Sequence, residues 1–168
     1  MIIKFDRIGL DKALFQARLF EASVDKYGTS SPVFLRRFYR SSYAAKLDTC
    51  PGDLFLYDLN DAFYRLDQQY GKSSYGTLRY PKENLYWLGY LSRYICYTRN
   101  FDSRLFYSFF DVKQICQSYP AYHTQSEEWC LAHLLDQYGY TEDDLDRNKR
   151  LKKIIKASRI ERKLIQDK

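Results

Sequence analysis

Four groups of residues in this 168-residue chain have types and spacings that could do chemistry. The first lies in "NLYWLGYLSRYICYT" (84–98), where Tyr86, Tyr90, Arg93 and Tyr97 recur at helical spacing and share one stripe. A guanidinium among tyrosine rings has two uses. It can meet an acid inside the fold, since a buried cation without a counter-charge is very costly. Alternatively it can open onto a groove, stack on ring faces and grip an anion. The second group is "FLRRFYR" (34–40), where Arg36, Arg37 and Arg40 stand among aromatics. Their planar forks match oxyanions, so this patch could hold a phosphate backbone or an acidic partner. The plainer reading is a solvated helix face with one internal salt bridge. The third is His123, in "YHT" beside Pro120, on a connector. It has no nucleophile or metal partner in sequence, which leaves little support for catalysis. Cys130 and His133, three apart on a helix, are only two ligands, and two do not make a zinc site.

The fourth group is the basic end. Residues 147–168 contain ten Lys or Arg against two acids, whereas residues 1–146 hold seventeen bases and nineteen acids. The body is therefore close to neutral, and the net charge of +6 belongs to the tail. Leu151, Ile154, Ile155, Ile160, Leu164 and Ile165 give this tail an apolar face. A basic amphipathic helix of this kind could dock on its own domain, a partner, a nucleic acid or a membrane surface. If nucleic acid is the ligand, Lys149, Arg150, Lys152, Lys153, Lys156 and Arg159 would supply the phosphate contacts.

No G-x-S-x-G, H-E-x-x-H, P-loop or dinucleotide glycine pattern is present. The carboxylates Asp143, Asp144 and Asp146 read as the start of a helix. The four cysteines, at 50, 96, 116 and 130, include no C-x-x-C pair and read as free, small, buried hydrophobes. No metal and no cofactor is expected.

The elements that must position these groups are helical. "LDKALFQARLFEASVDKY" (10–27) places Leu10, Leu14, Ala17 and Val24 near one stripe, and Gly28 follows where a left-handed residue would end the helix. Ser31 and Pro32 read as the cap and first position of the next helix. That helix carries Phe34, Phe38 and Ala45 on one face, with Arg36, Arg40, Tyr43 and Leu47 on another. "LFLY" (54–57) suggests a short extended piece. Asp58 caps a helix to Tyr70, closed by Gly71. A loop follows over 71–81, and Pro81 opens the helix that holds the tyrosine stripe. That helix is apolar or aromatic nearly all round, so it should lie at the centre, with Trp87 in the core and a close helix–helix approach to justify Gly89. One or two short helices should end before Pro120. Ser126 caps another, ended by Gly139, and Thr141 with Asp144 resembles a capping box for the last.

The composition suits a folded soluble chain: 45% apolar, 29% charged and 18% aromatic. No run is long and apolar enough to span a bilayer, and no signal peptide is visible, so a cytoplasmic protein is expected. The expected architecture is all-α. It is a single compact domain over 1–140, about seven helices in all, with a basic amphipathic C-terminal helix over 141–168.

The runs S-P-V-F-L-R-R-F (31–38), Y-G-K-S-S-Y-G (70–76), L-Y-W-L-G-Y-L-S-R-Y (85–94) with Y-T (97–98), and Y-H-T (122–124) resemble a family of small, uncharacterised bacterial helical proteins. The genes of that family lie in toxin–antitoxin and mobile-element neighbourhoods. The resemblance covers residues 10–138 and stops before the lysine-rich end. It implies a binding or neutralising role and supplies no catalytic residues. The expected function is thus a non-enzymatic interaction module, an antitoxin-like or regulatory partner of another bacterial protein. Arg36, Arg37, Arg40, Tyr86, Tyr90, Arg93, Tyr97 and His123 would face that partner. The alternative is a nucleic-acid binder, or a metal-independent ribonuclease using Arg93, a tyrosine and His123.

Overall fold

The computed structural model describes residues 2–50, 57–151 and 154–155. Helix α1 (Arg7–Lys26) starts earlier than the apolar pattern suggests. Asp6 caps it, its carboxylate accepting the Gly9 N–H at 2.9 Å and the Tyr97 hydroxyl at 2.7 Å. Gly28 is not left-handed; a Cβ there would lie 2.7 Å from the Ser73 carbonyl oxygen, so close approach of the 71–80 segment explains it. Helix α2 (Ser31–Arg40) is capped by Ser30, one residue before the expected Ser31.

The segment expected as one helix from Ser31 onward is two. At Ser41 the backbone is extended; its hydroxyl donates to the Phe38 carbonyl at 2.7 Å and accepts the Ala44 N–H at 2.9 Å. A serine that bonds backward and forward ends one helix and caps the next. Helix α3 (Ser42–Thr49) follows, and Ala45, expected inside, is exposed. Of the expected extended piece 54–57, only Tyr57 is among the described residues. Helix α4 (Leu59–Tyr70) has its expected cap, Asp58 accepting from the Asp61 N–H at 2.8 Å, and its expected stop, Gly71 at φ 77°.

Residues 71–81 carry no helix but are tied down. Ser30 and Ser31 donate their N–H groups to the carbonyls of Tyr75 and Leu78, each at 2.9 Å. Pro81 precedes helix α5 (Lys82–Thr98) as its cap residue. Where one or two short helices were expected there are three: α6 (Ser103–Phe109), α7 (Val112–Gln117) and α8 (Tyr119–Tyr122). Pro120 sits in the first turn of α8, where a missing N–H costs nothing, and does not end the preceding helix. Helix α9 (Glu127–Gln137) leads to Gly139 at φ 65° and a last helical run, 142–151. The described residues thus hold ten helices and no strand, against the expected seven. The difference comes from the break at Ser41 and from short helices, of which α6 and α7 start at the capping carboxylates of Asp102 and Asp111.

Contacts group the chain into two units, Met1–Glu127 and Glu128–Lys168. In the first, α1 and α5 pack against each other along most of their length. Gly89 permits this, since a Cβ there would lie 2.8 Å from the Gln16 carbonyl oxygen and 2.9 Å from the Ala17 Cα. The aromatics fill the rest. Phe20 meets Phe34, Phe38 and Tyr39 edge-on, with ring centroids 4.9–5.7 Å apart, and Tyr39 stacks on Phe106 at 5.6 Å. Such pairs add stability beyond the area they bury. In the second unit Cys130, Leu131, Leu134, Leu135 and Leu145 are buried, and Thr141 with Asp144 forms the expected box, their N–H and side-chain oxygens exchanging bonds at 2.8 and 3.3 Å.

Candidate functional site

Arg93 makes an internal pair. It is 2% exposed, and its Nη1 lies 2.5 Å from Asp48 Oδ1. Its Nε donates to Gln16 Oε1 at 2.8 Å and its Nη2 to Ser103 Oγ at 3.0 Å. Gln16 turns its amide to Ser92 Oγ at 2.8 Å and the Gly89 carbonyl at 3.1 Å, and the Tyr39 hydroxyl donates to Ser92 Oγ at 2.8 Å. Asp48 also accepts the Ser103 N–H and hydroxyl at 2.9 and 2.8 Å. This network links α1, α2, α3, α5 and the start of α6. Burial pulls on the guanidinium's proton, but the Asp48 carboxylate together with the neighbouring Cys96 and Tyr39 outweighs it, so Arg93 holds its proton more tightly than usual. Arg93 is therefore corrected from a partner-facing or ribonucleolytic candidate to a structural one, because no substrate or partner reaches an enclosed guanidinium.

Lys12 joins this cluster from α1. It is 4% exposed and, among the described residues, meets no hydrogen-bond or ion-pair partner. Burial and then the nearby Arg93 charge hold its amine below the usual lysine range. Two cations thus share one carboxylate in the interior.

The tyrosine stripe is largely occupied by the chain's own N-terminal segment. Phe5 lays its ring edge-on against Tyr90, Tyr94 and Tyr97, with centroids 6.4, 4.7 and 6.1 Å away, and Ile3 donates its N–H to the Thr98 carbonyl at 2.7 Å. Tyr86, Tyr90 and Tyr97 remain half-buried. Burial, with Asp6 beside it, pushes the Tyr97 hydroxyl up to about 12. Trp87, expected in the core, is also half-buried and meets Tyr119 edge-on at 6.0 Å.

The arginines of α2 separate into different roles. Arg37 is spent inside the unit: its Nη1 donates to the Tyr27 hydroxyl and the Gly71 carbonyl, both at 2.9 Å, and its guanidinium lies over Tyr27 and Tyr70. Arg37 is thereby corrected from partner contact to a clasp that holds the end of α4. Arg36 and Arg40, four apart on one face, are exposed and form no ion pair among the described residues. Arg40 lies over the Tyr107 ring at 5.5 Å, and Tyr107 in turn stacks on buried Tyr39 at 5.5 Å. From α6, Arg104 reaches across to donate to the Arg40 carbonyl at 2.8 Å. Arg40, Arg104, Tyr107 and Ser108 line a recess of about 380 Å³, and none of the described residues lining it is an acid. The Ser108 hydroxyl donates to the Leu105 carbonyl at 2.9 Å. Arg104 and Tyr107 were not anticipated, because they lie over sixty residues along the chain from the α2 patch; the basic-aromatic "SRLFY" run was the available signal.

His123 is exposed, stacks on Tyr119 at 4.3 Å and bonds through Nδ1 to the Tyr119 carbonyl at 2.8 Å. A carbonyl only accepts, so Nδ1 carries the proton. Cys130 and His133 face opposite environments: the thiol is buried, while the exposed imidazole stacks on Trp129. Among the described residues no group of three His, Cys, Asp or Glu could hold a metal ion. The cysteines are free, and burial pushes the Cys116 thiol up to about 12.

Of the tail candidates, Lys149 pairs with Asp146 at 2.7 Å and Arg150 is exposed. Lys152, Lys153, Lys156 and Arg159 lie outside the described residues. No described helix is long and apolar enough to cross a membrane.

No protein-family model, curated protein or solved structure matches the chain.

Proposed function

We propose that this chain is a non-enzymatic, cytoplasmic binding module that docks an acidic surface of another protein, as an antitoxin or regulatory partner does. The observation that carries this reading is the cationic face of Arg36, Arg40 and Arg104. All three are exposed and without ion pairs among the described residues, and Arg40 is oriented by Tyr107, which rests on the core. Unpaired arginines fixed beside a tyrosine favour interfaces, because the guanidinium gives directed bonds and the ring gives area without much lost entropy. The resemblance to proteins from toxin–antitoxin neighbourhoods supports the same class.

The test is capture of a partner from the native host by the full chain and by the triple variant Arg36→Glu, Arg40→Glu, Arg104→Glu. Loss of the captured protein with unchanged helical circular dichroism is the expected result. Capture that survives the reversal moves the interface elsewhere. Nucleic acid is the second reading, favoured by ten bases against two acids over 147–168. It predicts RNA or DNA binding that falls steeply with salt and disappears when 147–168 is deleted.

A further inference from the structure

The recess between α2 and α6 has the chemistry of a pocket for one doubly charged oxyanion. We infer that it receives a phosphomonoester carried on a side chain of the docking partner, an inference that rests on the docking reading above and names the group that is recognised. Two arginines, Arg40 and Arg104, line the recess, and among the described residues neither the lining nor an ion pair offers them a carboxylate. A single Asp or Glu of a partner would neutralise one of the two charges. A phosphodiester carries the same single charge. A phosphomonoester brings about −1.5 to −2 at neutral pH and three terminal oxygens.

Donor supply fits as well. A guanidinium has five N–H groups. Arg104 uses one on the Arg40 carbonyl, and Arg40 is held by its stack on Tyr107, which leaves its donors open. The bond to the Arg40 carbonyl anchors the Arg104 fork, and the stack on Tyr107 places that of Arg40, before any ligand arrives. Preorganised charge of this kind loses little entropy on binding. The Ser108 hydroxyl has already committed its proton to Leu105, so the guanidiniums do the holding and Ser108 only lines the wall. At about 380 Å³ the recess is roomier than a bare anion requires, and Tyr107 offers a ring wall to the carbon stem that bears the phosphate. Arg36, a turn away on α2, is not among the recess-lining residues and belongs to the surrounding face.

The experiment titrates the full chain with phenyl phosphate, benzoate, methyl phenyl phosphate and inorganic phosphate, followed by chemical-shift changes at Tyr107 and by calorimetry. Phenyl phosphate should bind at least tenfold more tightly than benzoate or the diester. Its affinity should rise as pH passes about 6, where the second phosphate proton leaves. Arg104→Gln and Arg40→Gln should each abolish that preference, whereas Arg36→Gln should leave it intact. Both recess arginines are exposed, so helical circular dichroism should confirm that the variants fold. Equal binding of phenyl phosphate, benzoate and the diester overturns the inference, as does a preference that survives loss of either recess arginine. Tighter binding of inorganic phosphate than of the ester reassigns the recess to free phosphate and also overturns it. The two proposals fail separately: partner capture lost on charge reversal with no phosphomonoester preference keeps the docking face and removes the phosphate pocket, and the opposite pattern does the reverse.

Discussion

Replacing Asp48 by Asn tests the energetics of the interior directly. Asp48 pairs with Arg93 at 2.5 Å between side chains that are 9% and 2% exposed, and buried Lys12 lies within the influence of both. With Lys12 charged, the three groups carry a net +1. Asp48→Asn raises this to +2 in a poorly solvated space, while Arg93→Met lowers it to zero. Stripping one partner from a buried pair costs about 3–5 kcal/mol, because the remaining charge loses its compensation. Asn keeps one acceptor, for the Ser103 N–H, but turns amide N–H groups toward the Arg93 donor, so charge compensation and a hydrogen bond are lost together. Arg93→Met forfeits bonds to Gln16, Asp48 and Ser103, but leaves Lys12 to answer Asp48 and fills the space with a flexible apolar chain. Its cost should be smaller, about 2–3 kcal/mol. Urea unfolding followed at 222 nm gives both values, and for a chain of this length Asp48→Asn should lower Tm by roughly 10 °C. Adding Lys12→Met to Asp48→Asn should recover about 1–2 kcal/mol by removing one of two like charges. If Arg93→Met proves as costly as Asp48→Asn, and Lys12→Met recovers nothing, the reasoning from buried charge balance is wrong.

Gly89→Ala should destabilise by about 1–3 kcal/mol, because a Cβ would press on the backbone of Gln16 and Ala17 and force α1 and α5 apart; thermal melts of the two proteins decide it. Trp87→Ala should cost only about 1–2 kcal/mol, less than for a fully buried indole, since Trp87 is half-buried and meets Tyr119 edge-on. Stability should fall as pH rises beyond 10. Burial raises the Tyr39 and Tyr97 hydroxyls above their usual value of 10.0, so the unfolded chain releases those protons first and is favoured there. Unfolding curves at pH 8 and pH 11, chosen at about these values to straddle that transition, should separate in that direction.

The all-helical class, the caps at Asp58 and Thr141–Asp144, and the stops at Gly71 and Gly139 were legible in the sequence, because each depends on a few neighbouring residues. The close approach at Gly89 was legible too, since a glycine amid strong helix formers has few other uses. The break at Ser41 was not, because a serine within an apolar pattern reads as surface until its hydroxyl is seen bonding both neighbouring turns. The buried face of α1 was legible only in part: of Leu10, Leu14, Ala17 and Val24, Ala17 is buried and the other three are half-buried, while Lys12 and Gln16 are buried although the pattern did not point to them. Hydrophobic periodicity cannot anticipate a polar core, since what makes Gln16 welcome inside is the guanidinium of Arg93, seventy-seven residues away. The same limit governs the cationic face. The sequence singled out Arg36, Arg37 and Arg40 as one patch, and local spacing could say no more. Only tertiary packing separated them: the ends of α1 and α4 drew Arg37 to Tyr27 and Gly71, α6 joined Arg40 to Arg104 and Tyr107, and Arg36 was left outside, because long-range contacts decide which of several equally charged side chains are used inside the fold.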